Sequence, residues 1–184
     1  MSHHLKKNHI TTNWSGGETT ELYIYPENAQ YKTGNYLFRL STATVEVEES
    51  TFTPLWGVDR TLMVLEGEMK LVHEGYHEAL LGPLYSDQFK GDWITRSEGK
   101  CVDFNLMCKG ETKGEVKGYN LSEGENLSLD LNGRMNFIFV YQGMIEIDGI
   151  AVEEGNLSIL DTNSNSASIL ANEKSVFIEV SVVF

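Results

Sequence analysis

The sequence has little of several features that mark particular functional classes. Its 184 residues include only two cysteines and three prolines, and Lys+Arg 14 against Asp+Glu 27 gives a formal net charge of −13. Such an acidic chain repels nucleic-acid phosphates and anionic membrane surfaces. No apolar run approaches the length of a membrane span, and residues 1–12 lack the apolar core of a signal peptide. We therefore expect a cytoplasmic protein whose partners are neither nucleic acids nor membranes.

The two cysteines do not indicate a disulfide or a zinc site. Cys101 and Cys108 lie in one predicted strand, and their odd separation directs them to opposite faces of that strand. We expect two reduced thiols packed in the protein interior.

The sequence does contain many glycine, β-branched and aromatic residues. There are 17 glycines, and apolar and polar residues alternate in short runs, which is typical of many short strands joined by glycine turns. Strands are predicted over residues 37–47, 61–72 and 101–107. Two weak helix candidates, residues 25–31 and 78–81, are too short to build a layer. The sequence predicts an all-β fold.

An internal repeat gives the fold more detail. Residues 61–71 match residues 137–147 at a constant offset of 76, as from Thr61 to Phe137, and each segment reads as a strand, a glycine turn and a return strand. The turns contain Gly67 and Gly143. We predict a bicupin, with two jelly-roll β-barrels of the cupin type in one chain. The expected domains are residues 1–110 and 111–184. An arrangement in which the two domains exchange terminal strands is the alternative.

A metal site of the usual cupin kind is not predicted. Such sites take two histidines spaced HxH, a carboxylate and a further histidine. The segments where these would stand, residues 51–56 and 91–94, contain no histidine. The histidines are His3, His4 and His9 near the N-terminus, and His73 and His77 at a hairpin tip. We expect His73 and His77 to face solvent, and the alternative is that they are cross-strand neighbours that chelate an adventitious metal ion. The prediction is no metal and no cofactor.

Polar residues interrupt the first barrel where apolar ones are expected. Strand alternation places Arg39 and Ser41 on one face of their strand, and Asp103, Asn105 and Met107 on one face of theirs. If both faces point inward, they meet in a pocket. Asp59 and Arg60 stand at the entry to the strand that ends at Gly67, and we expect them to join this pocket. A buried arginine needs an anionic partner, which is either an internal carboxylate or a ligand. An outward-facing Arg39 and a closed network of ion pairs are the alternatives.

The segment Trp14–Leu22 is also unusual because two adjacent glycines follow closely on Trp14. It does not fit a phosphate loop, since no Gly-Lys-Ser/Thr occurs and Glu18 lies inside it. No Ser, Cys or Thr stands in a recognisable nucleophile elbow. The sequence therefore indicates no nucleophilic enzyme.

Taken in order, these segments resemble the HutD/Ves family over roughly residues 10–110. The resemblance rests on Trp14, Gly16, Gly17, Thr19 and Glu21, then on residues 38–43, 57–60, 65–67, 89–92 and 103–107. Trp56 stands where the family usually has proline, which bears on the rim of the pocket. The resemblance implies a metal-free bicupin that binds a carboxylate metabolite such as formiminoglutamate or formylglutamate. It also implies a regulatory role in histidine utilisation or in a stress response.

The leading hypothesis is non-catalytic binding of a small polar anion in the N-terminal barrel. Arg39 and Arg60 would clamp its carboxylates, Asp59, Asp103 and Asn105 would orient it, Trp14 would form a wall, and Glu21 and Ser41 would complete the site. One alternative is a metal-independent isomerase, lyase or hydrolase with Asp103 or Glu21 as general base. Another is an interaction scaffold. The oligomeric state stays open, a homodimer included.

Overall fold

The computed structural model describes residues 3–6, 9–160 and 164–184. These residues form nineteen β-strands and one short 3₁₀ turn, Tyr31–Thr33, so the all-β prediction is confirmed. Residues 78–81, a weak helix candidate in the sequence, form a strand. Within the described ranges no helix is long and apolar enough to cross a membrane.

The chain divides into two compact units. One is His9–Lys113, and the other joins Met1–Asn8 to Gly114–Phe184. The chain passes from one unit to the other after Lys113. The N-terminal segment belongs with the second unit because its strand pairs there, antiparallel to the strand Leu157–Leu160.

The first unit contains two antiparallel sheets. Its strands are β2 (Ile10–Trp14), β3 (Gly17–Tyr25), β4 (Phe38–Val45), β5 (Glu49–Thr51), β6 (Val58–Gly67), β7 (Met69–His73), β8 (Glu78–Leu81), β9 (Ser86–Lys90), β10 (Thr95–Glu98) and β11 (Cys101–Lys109). A six-stranded sheet has the order β2-β3-β4-β11-β6-β9, and a four-stranded sheet has the order β5-β10-β7-β8. Leu62, Val64, Leu71 and Phe89 belong to the core that both sheets contribute to.

The second unit repeats this design. Its strands are β1 (His3–Lys6), β12 (Lys113–Leu121), β13 (Asn126–Asp130), β14 (Met135–Gln142), β15 (Met144–Ile147), β16 (Ile150–Glu153), β17 (Leu157–Leu160), β18 (Ser166–Ala171) and β19 (Ser175–Val183). The sheet orders are β1-β17-β14-β19-β12 and β13-β18-β15-β16. Ile138, Val140, Ile145 and Phe177 belong to its core.

The strand orders confirm the duplication. The run β4-β11-β6-β9 corresponds to β12-β19-β14-β17, and β5-β10-β7-β8 corresponds to β13-β18-β15-β16. Gly67 and Gly143 occupy equivalent turns, with φ of 81° and 82°. A Cβ added at Gly67 would lie 2.5 Å from the carbonyl oxygen of Lys100, and at Gly143 it would lie 2.5 Å from that of Lys174. Both turns therefore require glycine for the same two reasons, the positive φ and the close backbone.

The cysteines lie as expected in strand β11. Cys101 and Cys108 are free and buried, and burial raises the pKa of each thiol to about 12. Both thiols therefore stay protonated at neutral pH and are poor nucleophiles.

Candidate functional site

Strand β11 organises the polar face of the first unit because it lies between β4 and β6. Met107 stands opposite Arg39 on β4 and opposite Arg60 on β6. Asn105, one step along the same face, stands opposite Ser41 and Leu62. Directly opposed residues in an antiparallel pair share a face. The register therefore gathers side chains that are distant in sequence onto one side of the sheet.

These side chains line a cavity of about 680 Å³ inside the first unit. Seven of the eight residues predicted from the sequence lie on its wall: Trp14, Glu21, Arg39, Ser41, Arg60, Asp103 and Asn105. Apolar side chains, among them Tyr31, Phe52, Leu62 and Met107, supply much of the remaining wall. A cavity of this size with a few convergent polar groups suits a small metabolite.

Arg39 is held by the protein itself. Its Nε donates to Glu21 Oε2 at 2.8 Å, and its Nη1 donates to Ser41 Oγ at 3.2 Å. The Tyr31 ring lies 4.3 Å from the guanidinium carbon, which adds a cation–π contact. For Arg39, the expected internal carboxylate partner is therefore present.

Arg60 is buried but lacks such a partner. Its Nε donates a long hydrogen bond of 3.4 Å to Asn105 Oδ1, and its guanidinium lies over the rings of Phe52 at 4.6 Å and Phe89 at 5.2 Å. Within the described residues no salt bridge and no hydrogen bond engages its terminal nitrogens. Burial lowers the pKa of Arg60 to about 10, so the guanidinium remains charged at neutral pH. Its terminal N–H groups are free to bind an anion.

Asp103 is the acidic counterpart of Arg60. Only 4% of the residue is exposed, and its Oδ1 is buried without a hydrogen-bond partner. Burial raises the pKa of this carboxyl to about 7, although the charge of Arg60 and a hydrogen bond with Asn105 act in the opposite direction. An unpaired buried oxygen is costly.

The charges on the cavity wall favour an anion. Lys32, Arg39 and Arg60 are cationic, whereas Glu21 is anionic and Asp103 is partly protonated at neutral pH. The cavity is thus locally positive in a chain whose formal net charge is −13. Charge of this sign, held in a partly enclosed site, attracts carboxylates.

Asp59 does not join this group, which corrects the sequence prediction. It precedes Arg60 in strand β6, so it points to the other side of the sheet. Its carboxylate oxygens accept hydrogen bonds from Lys90 and Lys113, each at 2.5 Å. Trp56 is also absent from the cavity wall, and its side chain is largely exposed.

Sequence reasoning missed the aromatic part of the site. Tyr31 and Phe52, which contact the two arginines, lie in a 3₁₀ turn and just after the short strand β5. Strand alternation carries no information about such positions. The sequence did place Met107 on the face of Asp103 and Asn105, but without assigning it to the pocket.

Comparisons with known proteins agree with the fold and the motifs. The model of the family described as HutD matches residues 6–177. No curated protein sequence matches the chain.

Solved structures that are similar cover nearly all of the chain. A conserved protein of unknown function from Pseudomonas aeruginosa PAO1 has a TM-score of 0.83 at 20% identity and covers 100% of both chains. HutD from Pseudomonas fluorescens SBW25, in a formate condition, has a TM-score of 0.74 at 20% identity over 98% of each chain. The bacterial pirin YhhW from Escherichia coli, in complex with nickel(II), has a TM-score of 0.74 at 13% identity over 98% of each chain. These likenesses support the bicupin fold.

Proposed function

The chain belongs to the HutD family, and we propose that the cavity of its first unit binds a small carboxylate metabolite without converting it. Occupancy of this cavity would regulate histidine utilisation or a stress response, the roles that the resemblance to HutD/Ves proteins implies. The observation that carries the proposal is the buried Arg60, which lines the cavity and whose terminal nitrogens have no hydrogen-bond partner among the described residues.

The carboxylate is the group that Arg60 recognises. A planar guanidinium donates two parallel hydrogen bonds to a carboxylate, which fixes both the position and the orientation of the anion. Glu21 and Ser41 already hold Arg39. Arg39 therefore contributes positive charge and one wall, whereas Arg60 contributes the free donors.

The second recognition element is the Asp103 carboxyl, which lines the cavity together with Arg60. A ligand that carries an N–H group as well as a carboxylate satisfies both Asp103 and Arg60. Formylglutamate and formiminoglutamate have this combination, since each bears a nitrogen substituent beside its carboxylates. Formylglutamate is the chemically simpler probe because its amide is neutral.

The test is calorimetric titration of the full chain with N-formylglutamate, with glutarate as the ligand that lacks the amide. We expect N-formylglutamate to bind more tightly. Arg60→Ala should weaken its binding by about 1.5–3 kcal/mol, or roughly 10- to 100-fold, the value of a charge-assisted hydrogen bond. Arg96→Ala is the matched control, because Arg96 is exposed, pairs with Glu74 and lies off the cavity wall.

If neither acid produces heat or a thermal shift, or if Arg60→Ala and Arg96→Ala bind equally well, the proposal is wrong. Absence of any ligand would favour the scaffold hypothesis.

A metal-independent enzyme is the second candidate, and the pKa of Asp103 favours it. A carboxyl with a pKa of about 7 is matched to general-base chemistry at neutral pH. Turnover of a bound ligand that Asp103→Asn abolishes, while affinity is retained, would identify this function.

A further inference from the structure

We propose that His73, His77 and Asp87 form a binding site for a divalent transition-metal ion, separate from the carboxylate cavity. None of the three lines that cavity. They also lie outside residues 51–56 and 91–94, the segments where the ligands of a usual cupin metal site would stand. Among the described residues they form a cluster whose ligand atoms all lie within 4.8 Å of one another.

The two histidines converge on one carboxylate. His73 Nε2 and His77 Nε2 each lie 2.9 Å from Asp87 Oδ2, and His77 Nε2 also lies 3.0 Å from Asp87 Oδ1. The expectation that both histidines face solvent is wrong for His73, which is only 2% exposed. It points to the interior because it shares the inward face of β7 with Met69 and Leu71.

A tight hairpin and the neighbouring sheet bring the ligands together. The turn between β7 and β8 closes with hydrogen bonds from Tyr76 N to His73 O and from His73 N to His77 O. Gly75 permits this turn with a φ of 80°, so the histidines become cross-strand neighbours. Asp87 comes from β9 in the six-stranded sheet. A bound ion would therefore tie the two sheets of the unit together.

The hydrogen bonds of His73 favour a cation between His73 Nε2 and the Asp87 carboxylate. Its Nδ1 lies 2.8 Å from Thr95 Oγ1, and that hydroxyl also reaches the carbonyl oxygen of Trp93 at 3.4 Å. When Thr95 donates to Trp93, Nδ1–H must donate to Thr95, and the lone pair of Nε2 then faces the Asp87 carboxylate.

Aromatic side chains surround the buried side of this cluster. Phe89 and Trp93 flank His73 with ring centroids at 4.5 Å and 5.6 Å, and Tyr76 stacks on Trp93 at 3.7 Å. The side chain of His77 is 39% exposed, which leaves an entry path and an open coordination position. Two imidazoles and one carboxylate with an open position suit a borderline divalent ion such as Zn²⁺ or Co²⁺.

The spacing of the three groups is close to what such an ion needs. Bonds of about 2.0–2.2 Å in tetrahedral geometry separate ligand atoms by about 3.3–3.6 Å. The observed separation of 2.9 Å between nitrogen and oxygen therefore has to widen only slightly. The exposed ring of His77 and the short hairpin provide that freedom.

The experiment uses the full chain with His3, His4 and His9 replaced by asparagine, because N-terminal histidines also bind metals. Zn²⁺ is titrated by calorimetry, and Co²⁺ is titrated by its visible absorption. We expect one equivalent of either ion, an absorption band typical of a site with fewer than six ligands, and a melting temperature that rises with metal concentration.

His77→Gln should weaken Zn²⁺ binding at least tenfold while leaving the metal-free fold intact, because His77 is exposed at the hairpin tip. Asp87→Asn should also weaken it. Glu78→Gln is the matched control, since Glu78 is an exposed acid on the same hairpin that pairs with Lys70.

Two results would overturn the proposal. One is the lack of stoichiometric uptake of either ion, which would leave a cluster held by hydrogen bonds alone. The other is Zn²⁺ binding that His77→Gln and Asp87→Asn do not weaken, which would place the ion elsewhere on the chain.

Discussion

At the scale of single residues, the difference between the two buried arginines determines what the cavity can bind. Arg39 donates to Glu21 and Ser41, so much of its hydrogen-bonding capacity is used within the protein. Arg60 has aromatic rings on its faces and one long contact to Asn105. A buried charge without a partner is destabilising. The unpaired terminal nitrogens of Arg60 among the described residues therefore support the proposal of an anionic ligand.

The Asp103 carboxyl gives a testable pH dependence of stability. Its pKa in the folded protein is about 7, raised by burial from an ordinary value of 3.8. The folded state therefore binds the proton more tightly, and the contribution of Asp103 to stability decreases as the pH rises from about 4 to about 7. Across this pH range, the contribution of Asp103 to the free energy of unfolding should fall by on the order of 3 kcal/mol in the wild type. Chemical denaturation should show that this decrease is absent in Asp103→Asn.

Asp59 is the matched control because its shift has the opposite sign. Burial opposes the effect, but hydrogen bonds from Lys113 and Lys90 outweigh it and lower the pKa of Asp59. Its contribution to stability is therefore present above its unfolded pKa and is lost as the pH falls. Equal pH profiles for Asp103→Asn and the wild type would show that the Asp103 pKa is not raised.

At the scale of elements, the sequence predicted strands well and their packing in part. The alternation over residues 37–47 and 101–107 correctly placed Arg39 with Ser41 and Asp103 with Asn105, because a strand has a fixed period of two. The same rule separates Asp59 from Arg60, and grouping these two in one pocket was the error. The burial of His73 was not predictable from its hairpin, since Asp87, Phe89 and Trp93 cover it from other elements.

The glycine turns give a prediction at this scale. Gly67→Ala should destabilise the first unit by about 2 kcal/mol or more, because the new methyl group meets the Lys100 carbonyl oxygen at 2.5 Å in addition to the cost of the positive φ. Gly75→Ala has a similar φ of 80° with no atom within 4 Å, so it isolates the cost of φ. Thermal denaturation in the absence of metal would compare the two variants. A Gly67→Ala loss no larger than that of Gly75→Ala would contradict the argument from close packing.

At the scale of the whole molecule, duplication was followed by divergence of the two interiors. Leu62 and Ile138 are equivalent at the offset of 76, and they stand opposite Asn105 and Glu179. Phe177 correspondingly occupies the place of Asp103 and packs against Tyr119 with a centroid distance of 4.9 Å. Glu179 accepts a hydrogen bond from Tyr119 at 2.6 Å. In the second unit, an aromatic pair thus occupies the region that is polar in the first unit.

The sequence predicted the duplication but not the path of the N-terminal strand. Similarity between segments is visible at a constant offset, whereas the pairing of β1 with β17 depends on contacts between residues more than 150 positions apart, from His3 to Leu160. No local pattern encodes such a contact. The polar residues of the cavity, in contrast, were predictable because they lie on regular strands, where a local pattern shows which residues share a face.

The pairing of β1 with β17 yields the last prediction. Deletion of residues 1–8 should turn β17 into an edge strand, since it otherwise lies between β1 and β14. The amides of residues 157–160 that face β1 should then exchange hydrogen at least about tenfold faster, because edge amides lose their partners. The strands that line the cavity belong to the other unit, so exchange in β4 and β11 and the affinity for N-formylglutamate should not change. Unchanged exchange in β17 would contradict the pairing, and a loss of affinity would show that the N-terminal segment also supports the cavity.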